Sequence, residues 1–472
     1  MGNGCRPSLA LGIGIALLSS TTQTSLATPA DLELLDRAGP QATSPGRSKK
    51  ALIELGRDLF FNETFEGNGR TCGTCHPASN NLTIDKAFID TLPDDDPLFV
   101  QEFDPDLAEL EDALLLREFG LILENLDGFD APPVFRGVPH NFGARMTMTP
   151  PPGGLDGRKS AAGWSGDGAP RSDHRKDDGS LRNFINAAIT QHYPKTLARI
   201  EGKDFRLATE EEKDAIEAFL LSMGRQEEID LAAMTFSDPA VELGKKLFNN
   251  DDGDGNPMTN RACAACHMNA GANDADGFNR NFDIGTQTLT PPERQHDDGF
   301  GDETFNVPTL IEAADTPPFN HNNSFDDLEE AIAFYTGPAF GASQAGRFDG
   351  LGAFDLEAHE VDTIGALLRT LNAMENIRFS NEVTGSAQRS VPPVARKRIE
   401  EEVLSNTRDA IEVLTEAKPF PLYPDAVALL EQAEDMEQQA LTTDPKTRRN
   451  ALLGTAVQLK RDASAMMLGE PE

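Results

Sequence analysis

Cys72-Gly-Thr-Cys75-His76 and Cys263-Ala-Ala-Cys266-His267 are two copies of one pentad, Cys-x-x-Cys-His. Two thiols three positions apart can each form a thioether with one vinyl group of a haem, and the adjacent imidazole then reaches the iron as proximal ligand. At this chain's Cys and His frequencies, one such match arises by chance in about one sequence in a thousand, so a second copy is no accident. A structural zinc site and a thioredoxin-like redox pair draw on similar residues. Zinc needs four ligands at closer pairing, and a redox pair has no use for the histidine. Each pentad therefore predicts one covalently bound c-type haem. Cys72, Cys75 and His76 would hold the first, and Cys263, Cys266 and His267 the second.

Four of the five cysteines sit in the pentads, and the fifth, Cys5, precedes an apolar run, Leu9-Ala-Leu-Gly-Ile-Gly-Ile-Ala-Leu-Leu18. With Arg6 before it and Ser25-Leu-Ala27 after it, this run reads as a signal peptide over 1–27, cleaved near Ala27. It is too short to span a bilayer. The expected compartment is the periplasm, which agrees with the pentads because c-type haem is attached outside the bacterial cytoplasmic membrane. Nothing after the leader is long and apolar enough to cross a membrane.

The balance of 42 basic against 78 acidic residues gives a formal charge of −36, spread along the chain. Such a surface repels nucleic acid and anionic membranes. It favours a basic redox partner, a small cytochrome c or a cupredoxin, through electrostatic steering. Solubility alone is the other role open to it.

An internal repeat organises the middle of the chain. Leu55-Gly-Arg-Asp-Leu-Phe60 leads into the first pentad and Leu243-Gly-Lys-Lys-Leu-Phe248 into the second. Phe135-Arg-Gly-Val-Pro139 pairs with Phe305-Asn-Val-Pro308, and Ala188-Ile-Thr-Gln-His192 with Ala331-Ile-Ala-Phe-Tyr335. Each half closes on a helical pattern, Asp214-Ala-Ile-Glu-Ala-Phe-Leu-Leu221 and Asp362-Thr-Ile-Gly-Ala-Leu-Leu368, with apolar residues three and four apart. The expected class is all-α, with a first haem domain over 28–230 and a second over 231–378. A C-terminal helical extension, 379–472, carries three amphipathic segments (399–414, 426–441 and 447–467) and neither cysteine nor histidine.

These residues resemble the bacterial di-haem cytochrome c peroxidases and their MauG-type relatives. The resemblance lies in the Leu-Gly-x-x-Leu-Phe helix before each pentad and in Val307-Pro-Thr-Leu310, Thr316-Pro-Pro-Phe-Asn-His321 and Leu328-Glu-Glu-Ala-Ile332. It covers about 50–225 and 240–375. It implies two tandem cytochrome c-like domains whose haems communicate across the interface, the first reacting with peroxide and the second taking in electrons. MauG-type members place a tyrosine ligand on the second iron where peroxidases place a methionine, and Tyr335 stands at that position. Trp164, in Gly163-Trp-Ser-Gly-Asp-Gly168, partly matches a segment whose indole lies between the haems. Family members also hold calcium near the interface. Asn249-Asn-Asp-Asp-Gly-Asp-Gly-Asn256 reads as such a loop or as a solvated acidic turn, since the full calcium pattern ending in glutamate is missing.

The chain also departs from the peroxidase pattern. The stretch 84–125, with Leu107-Ala-Glu-Leu-Glu-Asp112, separates the first pentad from its Val-Pro segment. The segment Ile185-Asn-Ala-Ala-Ile-Thr-Gln-His192, which corresponds to the peroxidase distal helix, lacks the expected carboxylate. His192 is the candidate sixth ligand or acid/base residue of the first haem, or else a surface histidine. Met146, Met148 and His140 are further candidate ligands or loop residues, Tyr335 a ligand or a core tyrosine, and His321 an exposed turn residue. The expected function is that of a periplasmic di-haem oxidoreductase, with peroxide as candidate substrate and His192 and Trp164 as candidate catalytic residues. An electron carrier with both irons six-coordinate, and a non-catalytic haem sensor or docked subunit, are the alternatives.

Overall fold

Helix α1 (Lys49–Asn62) begins at Ser48, whose hydroxyl oxygen accepts the Ala51 N–H at 3.3 Å, as an N-cap serine does. Leu52, Gly56, Leu59 and Phe60 recur at helical spacing and form its buried stripe. The first half continues with α2 (Leu181–His192) and α3 (Glu210–Leu220). The second half is built on α4 (Pro239–Asn249), α5 (Leu328–Phe334) and α6 (Ala358–Ala387). Three more helices follow: α7 (Pro393–Thr415), α8 (Pro424–Leu441) and α9 (Lys446–Met467).

This computed structural model describes residues 48–125, 128–129, 133–148, 181–250, 263–289, 304–347, 351–388 and 393–469. The leader with Cys5, Trp164 and most of the acidic 249–256 loop lie outside them. The fold is mostly helical, with 58% helix and 5% strand. The strand content qualifies the all-α expectation. Leu121–Glu124 (β1) pairs antiparallel with Val134–Gly137 (β2), and Asn281–Phe282 (β3) with Phe305–Asn306 (β4). Segments of two to four residues are too short to show an alternating pattern.

The repeat has a physical cause in each half. A Cβ on Gly56 of α1 would lie 1.9 Å from the carbonyl oxygen of Ala215 in α3. A Cβ on Gly244 of α4 would lie 1.9 Å from that of Thr363 in α6. Ala215 and Thr363 occupy the same place in the two closing patterns. The glycine of each Leu-Gly-x-x-Leu-Phe segment is thus where the helix before the pentad touches the helix that closes the half. The Val-Pro segments correspond as well, since Val138-Pro139 leaves β2 and Val307-Pro308 leaves β4.

One apolar core gathers Leu52, Phe60, Phe65, Leu181, Ile189, Ile216 and Phe219 in the first half, with Cys72 against it. A larger core joins Val241, Phe248, Ile364, Leu367 and Leu371 of the second half to Leu414, Tyr423, Leu430 and Met467. Helix α6 runs without a break from residue 358 through 378 to 387, so the expected boundary at 378 falls inside a helix. The reason is that its polar residues beyond 378 are buried against the tail. Ser380 donates to the Val403 carbonyl at 2.8 Å and accepts from Lys460 Nζ at 2.6 Å. The change in composition marks a change of neighbours, not an end.

The halves meet through specific polar contacts. Asn81 Nδ2 donates to the Asp315 carbonyl at 3.0 Å, the Gly137 N–H to the His321 carbonyl at 2.8 Å, and Asn323 Nδ2 to the Phe119 carbonyl at 2.7 Å. Arg225 pairs with Glu375 at 2.6 Å, and the buried Arg136 guanidinium lies 5.2 Å from the Phe305 ring centre. No described helix is long and apolar enough to cross a membrane.

Candidate functional site

The first pentad forms one turn of helix, Cys72–Cys75, closed by a bond from the His76 N–H to the Cys72 carbonyl at 2.9 Å. That turn sets Cys72 and Cys75 within electrostatic reach of each other. His76 Nδ1 meets the Leu82 carbonyl oxygen at 2.8 Å, which makes Nδ1 the protonated nitrogen and leaves the Nε2 lone pair free. A carbonyl fixing the other ring nitrogen is the usual support of a metal-binding histidine. The Phe60 ring lies 5.9 Å from the His76 ring. Burial pushes the Cys72 thiol up to about 11 and the Cys75 thiol up to about 12, and it lowers His76 to about 4. At neutral pH all three groups are therefore uncharged.

The second pentad repeats this chemistry on a tighter turn, Cys263–Ala265. His267 Nδ1 faces the Gly271 carbonyl oxygen at 3.2 Å, and the Pro308 carbonyl stands on the same imidazole. Burial raises Cys263 and Cys266 to about 12 and lowers His267 to about 4. The donor sets fit two thioether-linked haems: cysteines in pairs, each pair followed by an imidazole whose Nδ1 already faces a carbonyl oxygen. A zinc-like cluster is not formed, since among the described residues no three Cys, His, Asp or Glu side chains are grouped to hold a metal ion.

The surroundings of the two pentads differ. His192 ends α2, and its Nδ1 lies 3.9 Å from Glu111 Oε1. Both His192 and His140 are near enough for their charges to act on or answer to His76. Burial lowers His192, and it lowers His140 to about 4. His140 Nδ1 is buried with no hydrogen-bond partner among the described residues.

At the second site, as at the first, aromatic rings pack beside the pentad. Tyr335 packs 4.8 Å from the Phe340 ring and 6.1 Å from Phe354, within electrostatic reach of Cys266 and Cys263. Burial holds its hydroxyl well above the ordinary tyrosine range. His321 is not an exposed turn residue. Its ring stacks on Phe305 at 3.6 Å and its Nδ1 faces Thr286 Oγ1 at 3.4 Å. Met146 lies part-buried in the short turn Ala144–Met148, which also contains Met148.

The structure revises the pairing of His192 with Tyr335. Tyr335 directly follows the last residue of α5, and the residue that directly follows α2 is Tyr193. Tyr193 donates its hydroxyl to Cys72 Sγ at 3.2 Å, so each pentad has a tyrosine beside its cysteines. Measured from the helix ends, His192 corresponds to Phe334. The chain has three tyrosines, and two of them are in these places. A one-residue shift of the repeat would have found Tyr193. Comparison of the chain with protein-family models and with curated proteins finds no match.

Proposed function

We propose that this chain is an exported di-haem c-type cytochrome of the peroxidase and MauG kind, moving electrons between two covalently attached haems. Cys72, Cys75 and His76 hold one, and Cys263, Cys266 and His267 the other. The observation that supports the reading is a difference in the histidines around two matching pentads: His192 and His140 stand within electrostatic reach of His76, whereas no described histidine acts on His267.

Bound haem supplies one-electron redox chemistry at each site. The protein's share is to hold it, exclude water and move protons. His192 is the acid/base residue for peroxide at the first site, since an imidazole can take up a proton at one nitrogen and return it. Tyr335 is the candidate phenolate ligand of the second. An anionic ligand stabilises the ferric state and lowers the potential. Calcium in the acidic loop and a small basic redox protein as electron partner belong to the same reading.

The test is paramagnetic resonance of the resting ferric protein, beside Tyr335→Phe and His192→Ala. One high-spin and one low-spin haem are expected, with Tyr335→Phe altering only the second signal and His192→Ala lowering peroxide turnover while both haems remain. The second reading, an electron carrier with both irons six-coordinate, is favoured by the unpartnered His140 Nδ1, which leaves an imidazole available as sixth ligand. Two low-spin signals and no peroxide turnover would establish that reading instead.

A further inference from the structure

The segment between His76 and β1 spans residues 77–120, against 268–280 in the second half, and most of its excess folds around one side chain. Arg70, two residues before Cys72, is among the largest fully buried side chains. Its guanidinium donates to the Pro97 carbonyl at 3.1 Å, the Leu98 carbonyl at 2.7 Å, Gln101 Oε1 at 3.2 Å and Glu111 Oε1 at 2.7 Å. All four acceptors come from the inserted segment. Ile84, Ile89, Leu98, Phe99 and Leu116 of the same segment form an apolar cluster against Cys75. The insertion is therefore part of the wall of the first site.

Glu111 is the carboxylate this wall carries inward. Its side chain is fully buried, and its second oxygen accepts the Leu123 N–H at 2.6 Å. Arg70 and Leu123 fix both oxygens, so the carboxylate cannot turn away, and Oε1 remains 3.9 Å from His192 Nδ1. That separation is beyond a hydrogen bond and within ion-pair range. The end of α2 is held equally firmly. Gln191 Nε2 donates to the Leu123 carbonyl at 2.7 Å, Asn68 Nδ2 to the His192 carbonyl at 2.9 Å, and the Tyr193 hydroxyl to Cys72. The charged and titratable groups facing His192 are Glu111, Arg70, Arg199 and His76.

We propose that Glu111, held in place by Arg70 and Leu123, is the positioning residue for His192. A fixed negative charge on the Nδ1 edge favours the tautomer with its proton on Nδ1. The lone pair then resides on Nε2, at the opposite edge of the ring. This inference rests on the reading of the first pentad as a haem site, and it assigns Glu111 no contact with the reacting atoms.

The test uses the full-length holoprotein with Glu111→Gln, His192→Ala and the double variant. Haem content is measured first, because loss of haem from the wild-type pentads defeats the parent reading and not this one. Cyanide, which must give up a proton as it binds ferric haem, should bind the first site about ten-fold more slowly in Glu111→Gln. The double variant should be no slower than His192→Ala, since the two residues act as a unit. Nitrogen-15 spectra of the histidine side chains read the tautomer directly, with the proton expected on Nδ1 of His192 in the wild type. A proton on Nε2 there, unchanged cyanide binding in Glu111→Gln at equal haem content, or additive losses in the double variant would each overturn the proposal.

Discussion

Gly56 and Gly244 do for the fold what the cysteines do for the site, and a single methyl group tests them. A Cβ at either position would meet a backbone carbonyl at 1.9 Å, and neither backbone can yield without parting two helices. Gly56→Ala and Gly244→Ala should each lower stability by about 1–3 kcal/mol or more, read by chemical denaturation. Gly454 of α9 is the control. A Cβ there meets nothing within 4 Å, so Gly454→Ala should be neutral or stabilise by up to ~1 kcal/mol through helix propensity. Equal effects at Gly56 and Gly454 would show that propensity, not contact, sets the glycine pattern. The same residues show what was legible. The pentads could be read because their residues are contiguous in sequence, and the glycines recur with them. Tyr193 was missed because the repeat was set one residue out of step. Glu111 was missed because it reaches His192 only through the folding of 97–123 around Arg70, a contact with no trace in local spacing.

Among the helices, those of the tail converge on one buried ion pair. Lys460 Nζ of α9 lies 2.5 Å from Glu437 Oε1 of α8 and 2.6 Å from Ser380 Oγ of α6, and Ser380 is 3.2 Å from Thr407 of α7. Lys460→Met leaves the Glu437 carboxylate buried without its counter-charge, which should lower stability by about 3–5 kcal/mol. Lys460→Met with Glu437→Leu should recover most of that loss, because neither charge is then stranded. No recovery in the double variant would mean the pair itself is essential to the packing. A second device lies between the short turn Ala313–Asp315 and α6. Glu312 is buried with neither carboxylate oxygen hydrogen-bonded among the described residues. Burial, then Glu375 and Asp315, push it up to about 8. A carboxylate whose folded value exceeds its unfolded one binds more protons when folded. Its stabilising contribution is full below about pH 4.5 and is lost as pH rises through about 8. Glu312→Gln should therefore leave stability near pH 4.5 almost unchanged and raise it at pH 8 by on the order of 1–3 kcal/mol. Denaturation curves at the two pH values check the sign. The three tail helices were legible from their 3.6-residue period. The continuity of α6 was not, because polar residues that pair across a buried interface look in sequence like the start of a linker.

Taken whole, the chain is an acidic molecule with a formal charge of −36, and that charge makes a prediction independent of any single side chain. Electron exchange with a small basic cytochrome or cupredoxin should slow steeply between 0.1 M and 1 M salt, as the screening length falls from ~10 Å to ~3 Å. A rate flat across that range would assign the charge to solubility alone. The two-fold plan of the molecule was legible as a repeat, and the matching glycine contacts and strand ladders give that repeat a physical form. The approach of Glu111 to His192 was not, since the two residues come from separate segments. The di-haem reading depends on what the four pentad cysteines carry. The most direct measurement is a pyridine haemochrome assay on protein extracted with acid acetone, paired with the intact mass of the mature chain. Two haems per chain should stay with the protein, and Cys72→Ala should loosen or remove only the first. Colour that leaves with the solvent, or a chain bearing fewer than two haems, would contradict the account.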